Sequence, residues 1–173
     1  MNDRRLVEIQ FTRPNRWFQP LSWLIRKVQG TPYSHVRLAW NGVGGKVPVI
    51  YEASGRSLKF IGPIAAKNLN VKIVDSFKFN IDNNQYRSLV ELCINYANVD
   101  YGKKQLIGIG LVHSFGLNHN PFADGRRSQV CSEVVGHFLE KILGWDLGVN
   151  LDIAGPKEIR DEIVKHRKLR KGI

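Results

Sequence analysis

Ser34-His35-Val36-Arg37-Leu38-Ala39-Trp40 and Val47-Pro48-Val49-Ile50-Tyr51-Glu52-Ala53, separated by the Gly-rich stretch Asn41 to Gly45, decide how the chain folds. Both segments are rich in β-branched and aromatic residues with turn residues between them, which predicts a hairpin. Side chains alternate along a strand, so His35, Arg37 and Ala39 share one face and Val36, Leu38 and Trp40 the other. The return strand is apolar apart from Glu52. A buried carboxylate is costly unless it is partnered, so a glutamate in mid-strand opposite the histidine strand points to a partner. The alternative is a solvent-facing residue of a half-exposed strand, and the pairing register decides between them.

Working outward, Arg5 to Thr12 alternates, with Val7, Ile9 and Phe11 on one face, and reads as a strand. A loop from Pro14 to Pro20 leads to Leu21, Leu24, Ile25 and Val28, whose spacing predicts a short amphipathic helix ending at Gly30. Further strands are expected at Ser57 to Ile61 and Val71 to Phe79. Asn83 and Asn84 are expected to cap a helix from about Gln85 to Ala97. Its stripe Tyr86, Leu89, Val90, Cys93, Ala97 directs Cys93 into the core, as a small hydrophobe. Tyr101 to Val112 reads as helical despite Gly108 and Gly110, and His113 to Arg127 as a loop. Ser128 or Gln129 opens a helix with the apolar stripe Val134, Val135, Phe138, Leu139 and Ile142, and Gly155-Pro156 opens a charged one that carries Ile159 and Ile163 inward. The expected fold is α+β: a small antiparallel sheet or half-barrel packed with helices, in one domain over residues 1–173 with a basic tail from about 165.

With 173 residues and 43% hydrophobic content, the chain can bury a core without disulfides or a structural metal. Two cysteines, Cys93 and Cys131, are too few for a disulfide framework, so reduced thiols are expected. The N-terminus lacks the apolar region of a signal peptide, and the longest apolar run, Leu106 to Val112, is too short to span a bilayer. A soluble protein is expected, in the cytoplasm or carried within a larger assembly such as a virion. The net charge of +11 favours anionic partners. Its densest run, Lys165-His166-Arg167-Lys168-Leu169-Arg170-Lys171, is expected to be a solvated tail that contacts an anionic polymer or membrane surface, with nucleic acid unlikely as the primary partner.

The residues with chemistry in them are few. Cys131 falls in the first turn of its expected helix, where free backbone N–H groups and the positive end of the dipole favour a thiolate. Arg126 and Arg127 upstream add to that field, and Ser128, Gln129 and Ser132 are neighbours a substrate can approach. A second buried thiol is the competing reading. Of five histidines, only His35 starts a strand beside a tight turn, which suits a general base; a histidine that merely caps the turn at Ser34 or Tyr33 is the alternative. An imidazole in that role needs an orienting group, which Glu52 supplies. His113, His119 and Asp124 match no zinc spacing, and Gly108-Ile109-Gly110 lacks the third glycine of a dinucleotide fingerprint and reads as close helix packing. Neither a metal nor a cofactor is expected.

The order Ser34-His35-Val36, then Val49-Ile50-Tyr51-Glu52-Ala53, then Val130-Cys131-Ser132-Glu133-Val134-Val135 resembles the permuted papain-like hydrolases related to NlpC-type peptidases, especially the YiiX-like branch, with lecithin retinol acyltransferase more distant. Asp100-Tyr101-Gly102 and Ala154-Gly155-Pro156 extend the resemblance over most of the chain. It implies a cysteine hydrolase with Cys131 as nucleophile, His35 as base and Glu52 as third member, and an oxyanion hole that includes the backbone N–H of Cys131. The acyltransferase branch has a histidine in the third place, so Glu52 favours the YiiX-like side. Tyr33, Tyr101 and Ser132 are candidate substrate contacts. The implied substrate is a peptidoglycan peptide or, second, an acyl-lipid bond; the rival reading is a non-catalytic structural or binding module with the same fold, for example a phage particle component.

Overall fold

A computed structural model describes residues 4–15, 19–42, 48–54, 57–123 and 128–171. Residues 43–47 of the Gly-rich stretch, Asp124, and Arg126 with Arg127 lie outside the described residues. Strand β1 (Arg5–Pro14) lies between β2 (His35–Asn41) and β5 (Val71–Ile81), and β2 pairs in turn with β3 (Pro48–Ser54) as the expected hairpin. With β4 (Ser57–Ile61), β6 (Asp100–Tyr101) and β7 (Ser128–Gln129) these form a seven-stranded sheet in the order β5-β1-β2-β3-β4-β6-β7. Every pair is antiparallel except β6 with β7. Six helices complete the α+β architecture among the described residues: α1 (Pro20–Gln29), α2 (Pro63–Lys67), α3 (Asn83–Asn95), α4 (Lys103–Phe115), α5 (Cys131–Lys141) and α6 (Pro156–Lys171).

The core follows from the two periodicities. Val7, Ile9 and Phe11 of β1 and Val36 and Leu38 of β2 meet Val134, Val135, Phe138 and Leu139 of α5, Ile159 and Ile163 of α6, and Leu89 and Cys93 of α3. Each such side chain contributes about 1.5–3 kcal/mol by leaving water. Cys93 is fully buried here, and burial pushes its thiol far above the ordinary range.

Several expectations are corrected. The cap of α3 is Asp82, one residue earlier than Asn83, because its carboxylate accepts from Gln85 N–H while the Gln85 side chain accepts from Asp82 N–H. Helix α2 was not foreseen, and α4 continues through His113 to Phe115, into the expected loop, before Gly116 ends it with a φ of 66°. Residues 128 and 129 do not open α5; they form β7, and the helix begins at Cys131. The basic run is helical through Lys171. His166 stacks on Trp145 with ring centroids 4.4 Å apart, and Arg167 lies over Phe77 and Phe79 while donating to the Lys78 carbonyl at 2.7 Å. The flat faces of imidazole and guanidinium make these two residues packing groups as well as charges. No helix among the described residues is long and apolar enough to cross a membrane.

Of the two glycines read as close packing in α4, only Gly108 serves that purpose. A Cβ there would overlap the amide oxygen of Asn120, whose nitrogen donates to the Gln105 and Asp152 carbonyls at 3.0 Å each. Gly110 has open space around it. Gly108→Ala is therefore expected to destabilise the fold by about 1–3 kcal/mol, and Gly110→Ala to stabilise it by a few tenths to about 1 kcal/mol. Thermal unfolding of the two variants checks this: equal shifts would refute the packing argument.

Candidate active site

The start of α5 is set by local chemistry. Val130 is extended (φ −100°, ψ 163°), as the N-terminal boundary of a helix requires, and its N–H donates to Glu133 Oε2 at 2.7 Å. Valine has no acceptor to return the bond, so this is the glutamate half of a capping box. Glu133 Oε1 accepts from Gln105 of α4 at 3.2 Å. Cys131 is thereby fixed as the first helical residue, just after the β7 segment that pairs in parallel with Asp100 and Tyr101.

His35 is held from the opposite side. It pairs with Thr12 across β1 and β2, Ser34 N–H donates to the Thr12 carbonyl at 3.0 Å, and the Ser34 hydroxyl lies 2.6 Å from that of Ser22 in α1. Register slips by one residue in the β1–β5 pairing between Phe11 and Thr12, a bulge beside this site. The His35 side chain hydrogen-bonds Cys131, whose sulfur also receives the backbone N–H groups of Val36 and Ser132. Its Nε2 lies 3.6 Å from Glu52 Oε2, an ion-pair distance longer than a hydrogen bond.

Glu52 has a second charged neighbour that sequence reasoning missed. Arg37 Nη1 approaches the same Oε2 at 3.3 Å, and Arg37 Nε donates to Gln10 Oε1 at 2.9 Å. Arg37, Gln10 and Glu52 are all buried. Alternation carried the signal, since Arg37 shares the face of His35 and Gln10 pairs with Arg37 across β1. The β2–β3 ladder runs Ala39↔Ile50 and Leu38↔Tyr51, which brings Glu52 level with Arg37 and diagonal to His35.

The electrostatics follow. Burial by itself would push the His35 imidazolium down, but the Cys131 thiolate beside it, its hydrogen bond, and then Glu52 together drive it up. Burial by itself would push the Cys131 thiol up, but His35 and the two backbone N–H groups bring it below its ordinary value. Both shifts favour a thiolate–imidazolium pair. Tyr101 is pushed far up, first by burial and then by Cys131 and Glu52, and stays a neutral phenol.

An open cavity of about 420 Å³ reaches this site, lined by Thr12, Ser34, His35, Glu52 and Tyr101 on one side and by Leu21 and Ile25 of α1 on another. Cys131 is only 2% exposed and is not among its lining residues, whereas the His35 side chain is 19% exposed. Of the candidate substrate contacts, only Tyr101 lines the cavity. Tyr33 is a core residue packed on Phe11 at 5.1 Å, and faces Asp75, Arg160 and Asp161 instead. The Ser132 side chain is buried, and the residue touches the site through its backbone N–H. Sequence alternation cannot tell which buried aromatic faces the cavity, because that depends on neighbouring strands and helices. His113 pairs with Glu158 at 3.5 Å, and among the described residues no group of three or more His, Cys, Asp or Glu is arranged to hold a metal ion.

No family model matches the sequence, and no curated protein does. Among solved structures, the chain is similar to the crystal structure of the metalloprotein YiiX from Escherichia coli O157:H7 (DUF1105). The TM-score is 0.53 at 18% identity, over 95% of this chain and 81% of that one. At that identity the likeness is one of fold.

Proposed function

We propose that the chain is a thiol hydrolase of the permuted papain-like type, in which Cys131 attacks, His35 relays the proton and Glu52 orients the imidazole. The observation that carries this reading is the thiol at the first residue of α5, hydrogen-bonded to His35, whose Nε2 lies 3.6 Å from Glu52 Oε2. The thiolate adds to a substrate carbonyl, and the oxyanion is met by the backbone N–H of Cys131 at the helix start. The imidazolium then gives its proton to the departing amine or alcohol, leaving a thioester. Water, deprotonated by His35, adds to the thioester; collapse releases the acid and returns the thiol. A peptidoglycan peptide is the first substrate class to try and an acyl-lipid the second.

The burial of Cys131 favours one second reading, a binding module that retains the fold without turnover. The two separate on incubation with muropeptides and with acyl-lipid amides and esters. Hydrolysis should produce a transient mass increase on Cys131 equal to the acyl group, and Cys131→Ala should lower product formation by about a thousandfold or more. Product formation by Cys131→Ala at the parental rate ends the thiol mechanism, and no adduct or product from any of these substrates supports the binding module.

A further inference from the structure

Helix α1 is amphipathic, and its apolar stripe is only half covered: Ile25 packs on Leu106, Ile109 and Val130, while Leu21 and Leu24 stay exposed. Ser22 and Gln29 are the residues it buries; Ser22 bonds to Ser34, and Gln29 to Glu158 and the Lys157 N–H. Leu21, Trp23 and Leu24 are exposed, Leu24 at 47%. Helix α4, packed beside α1, is apolar on nearly all sides, so packing one face still leaves another uncovered. Ile107 is 54% and Phe115 73% exposed on that outer face. Between the helices runs an apolar groove of about 240 Å³ lined by Leu24, Val28, Ile107 and Leu111 among others, with Leu21 and Ile25 shared with the cavity at His35.

The charge that α1 and α4 themselves carry is of one sign, and the acidic group beside them, Glu158 of α6, is bonded to Gln29 and paired with His113. Lys27 lies over the Trp23 ring at 4.9 Å, Arg26 precedes it, and exposed Lys103 and Lys104 open α4. Neither α1 nor α4 has an acidic residue. Exposed leucines, isoleucine and phenylalanine, a tryptophan at the edge and a basic rim are what an interfacial surface needs: apolar atoms to enter the acyl region, an aromatic at headgroup level, and cations for anionic headgroups.

We propose that the α1–α4 face docks on an anionic lipid bilayer, with Leu24, Ile107 and Phe115 inserted and Lys27, Lys103 and Lys104 on the headgroups. The docking does not depend on the catalytic reading. Its consequence for the cavity is positional: Leu21 and Ile25 border both, so the mouth at His35 faces the bilayer edge of the contact.

The test uses the full chain and vesicles of phosphatidylcholine with about 30% phosphatidylglycerol, against phosphatidylcholine alone. Co-sedimentation should show binding to the anionic vesicles that weakens with salt. Leu24→Glu with Ile107→Glu should lower it at least about tenfold. Lys103→Glu with Lys104→Glu should lower it roughly twentyfold, whereas Lys168→Glu, on the exposed end of α6, should leave it within about twofold. Quenching of tryptophan emission by brominated lipid, lost in Trp23→Phe, gives a readout that needs no charge change. An equal loss from Lys168→Glu, or full binding by the Leu24/Ile107 variant, would overturn the proposal in favour of general charge attraction. A lipid-free dimer that dissociates on Leu24→Glu would overturn it in favour of a second copy on this face.

Discussion

At pH 7, iodoacetamide should alkylate Cys131 in the folded protein at least about a hundredfold faster than Cys93, and His35→Ala should remove most of that advantage. The thiolate is the nucleophile, so the rate follows the fraction ionised. Burial holds Cys93 almost wholly as thiol, with no charge or donor to oppose it. Cys131 is buried too, but the His35 charge and hydrogen bond and the N–H groups of Val36 and Ser132 outweigh that burial. The low exposure of Cys131 makes a small neutral reagent the right probe, and in denaturant both thiols should react alike.

The same pair gives stability a pH signature. His35 is raised from 6.5 to about 10, so its contribution to stability is complete below pH 6.5 and is lost as pH rises through about 10. Cys131 is lowered from 9.0, so its contribution is present above pH 9.0 and is lost as pH falls through the lowered value. The ion pair itself exists between the two folded-state values. His35→Ala should therefore flatten the alkaline side of the stability profile. Equal alkylation of both cysteines in the folded protein, or a Cys131 profile centred on 9.0, would end the case for an activated thiol.

Arg37→Ala should cost about 3–5 kcal/mol, a fall in melting temperature of roughly 10 °C, because it leaves Glu52 buried with its closest cation gone. The triad reading alone suggests that Glu52→Gln lowers turnover with little effect on stability. The Arg37 contact changes that expectation: the neutral amide that Glu52→Gln introduces leaves a buried guanidinium without its carboxylate, which costs about 1–3 kcal/mol as well. Combining Arg37→Met with Glu52→Gln should recover most of the stability, since removing both charges of a buried pair is often near neutral, but should leave turnover low. Thermal unfolding of the parent, Arg37→Met, Glu52→Gln and the double variant closes the cycle. If Arg37→Ala stays within about 0.5 kcal/mol of the parent, the Arg37–Glu52 contact contributes little to stability.

Strand alternation located β1 to β5 to within a few residues, and the mid-strand position of Glu52 pointed to a buried partner. The histidine was foreseen as that partner, and Arg37, which approaches the same Glu52 Oε2, was not. Alternation puts Arg37 on the His35 face, but arginine on a strand is ordinarily solvated. Whether that face is covered depends on β1 across the sheet, where Gln10 meets Arg37. The start of α5 shows the same limit. Ser128 looked like a cap because serine often is one, whereas the strand pairing of 128–129 with β6 extends the chain up to Val130 and defers the helix to Cys131.

What the sequence by itself determined is the α+β class, the β2–β3 hairpin and the helix-start position of Cys131, all of which rest on residue spacing within one segment. Only the tertiary structure decided that Arg37 shares Glu52, that Tyr101 and not Tyr33 lines the cavity, that the basic C-terminal run packs through His166 and Arg167, and that α1 turns its leucines outward. The physical reason is common to all four. Periodicity says which side chains share a face, while the free energy of exposing or burying that face is set by whatever distant segment lies against it. For α1 the buried hydrogen bonds of Ser22 and Gln29 fix the helix, Ile25 packs on Leu106 and Ile109 of α4, and Leu21 and Leu24 are left exposed.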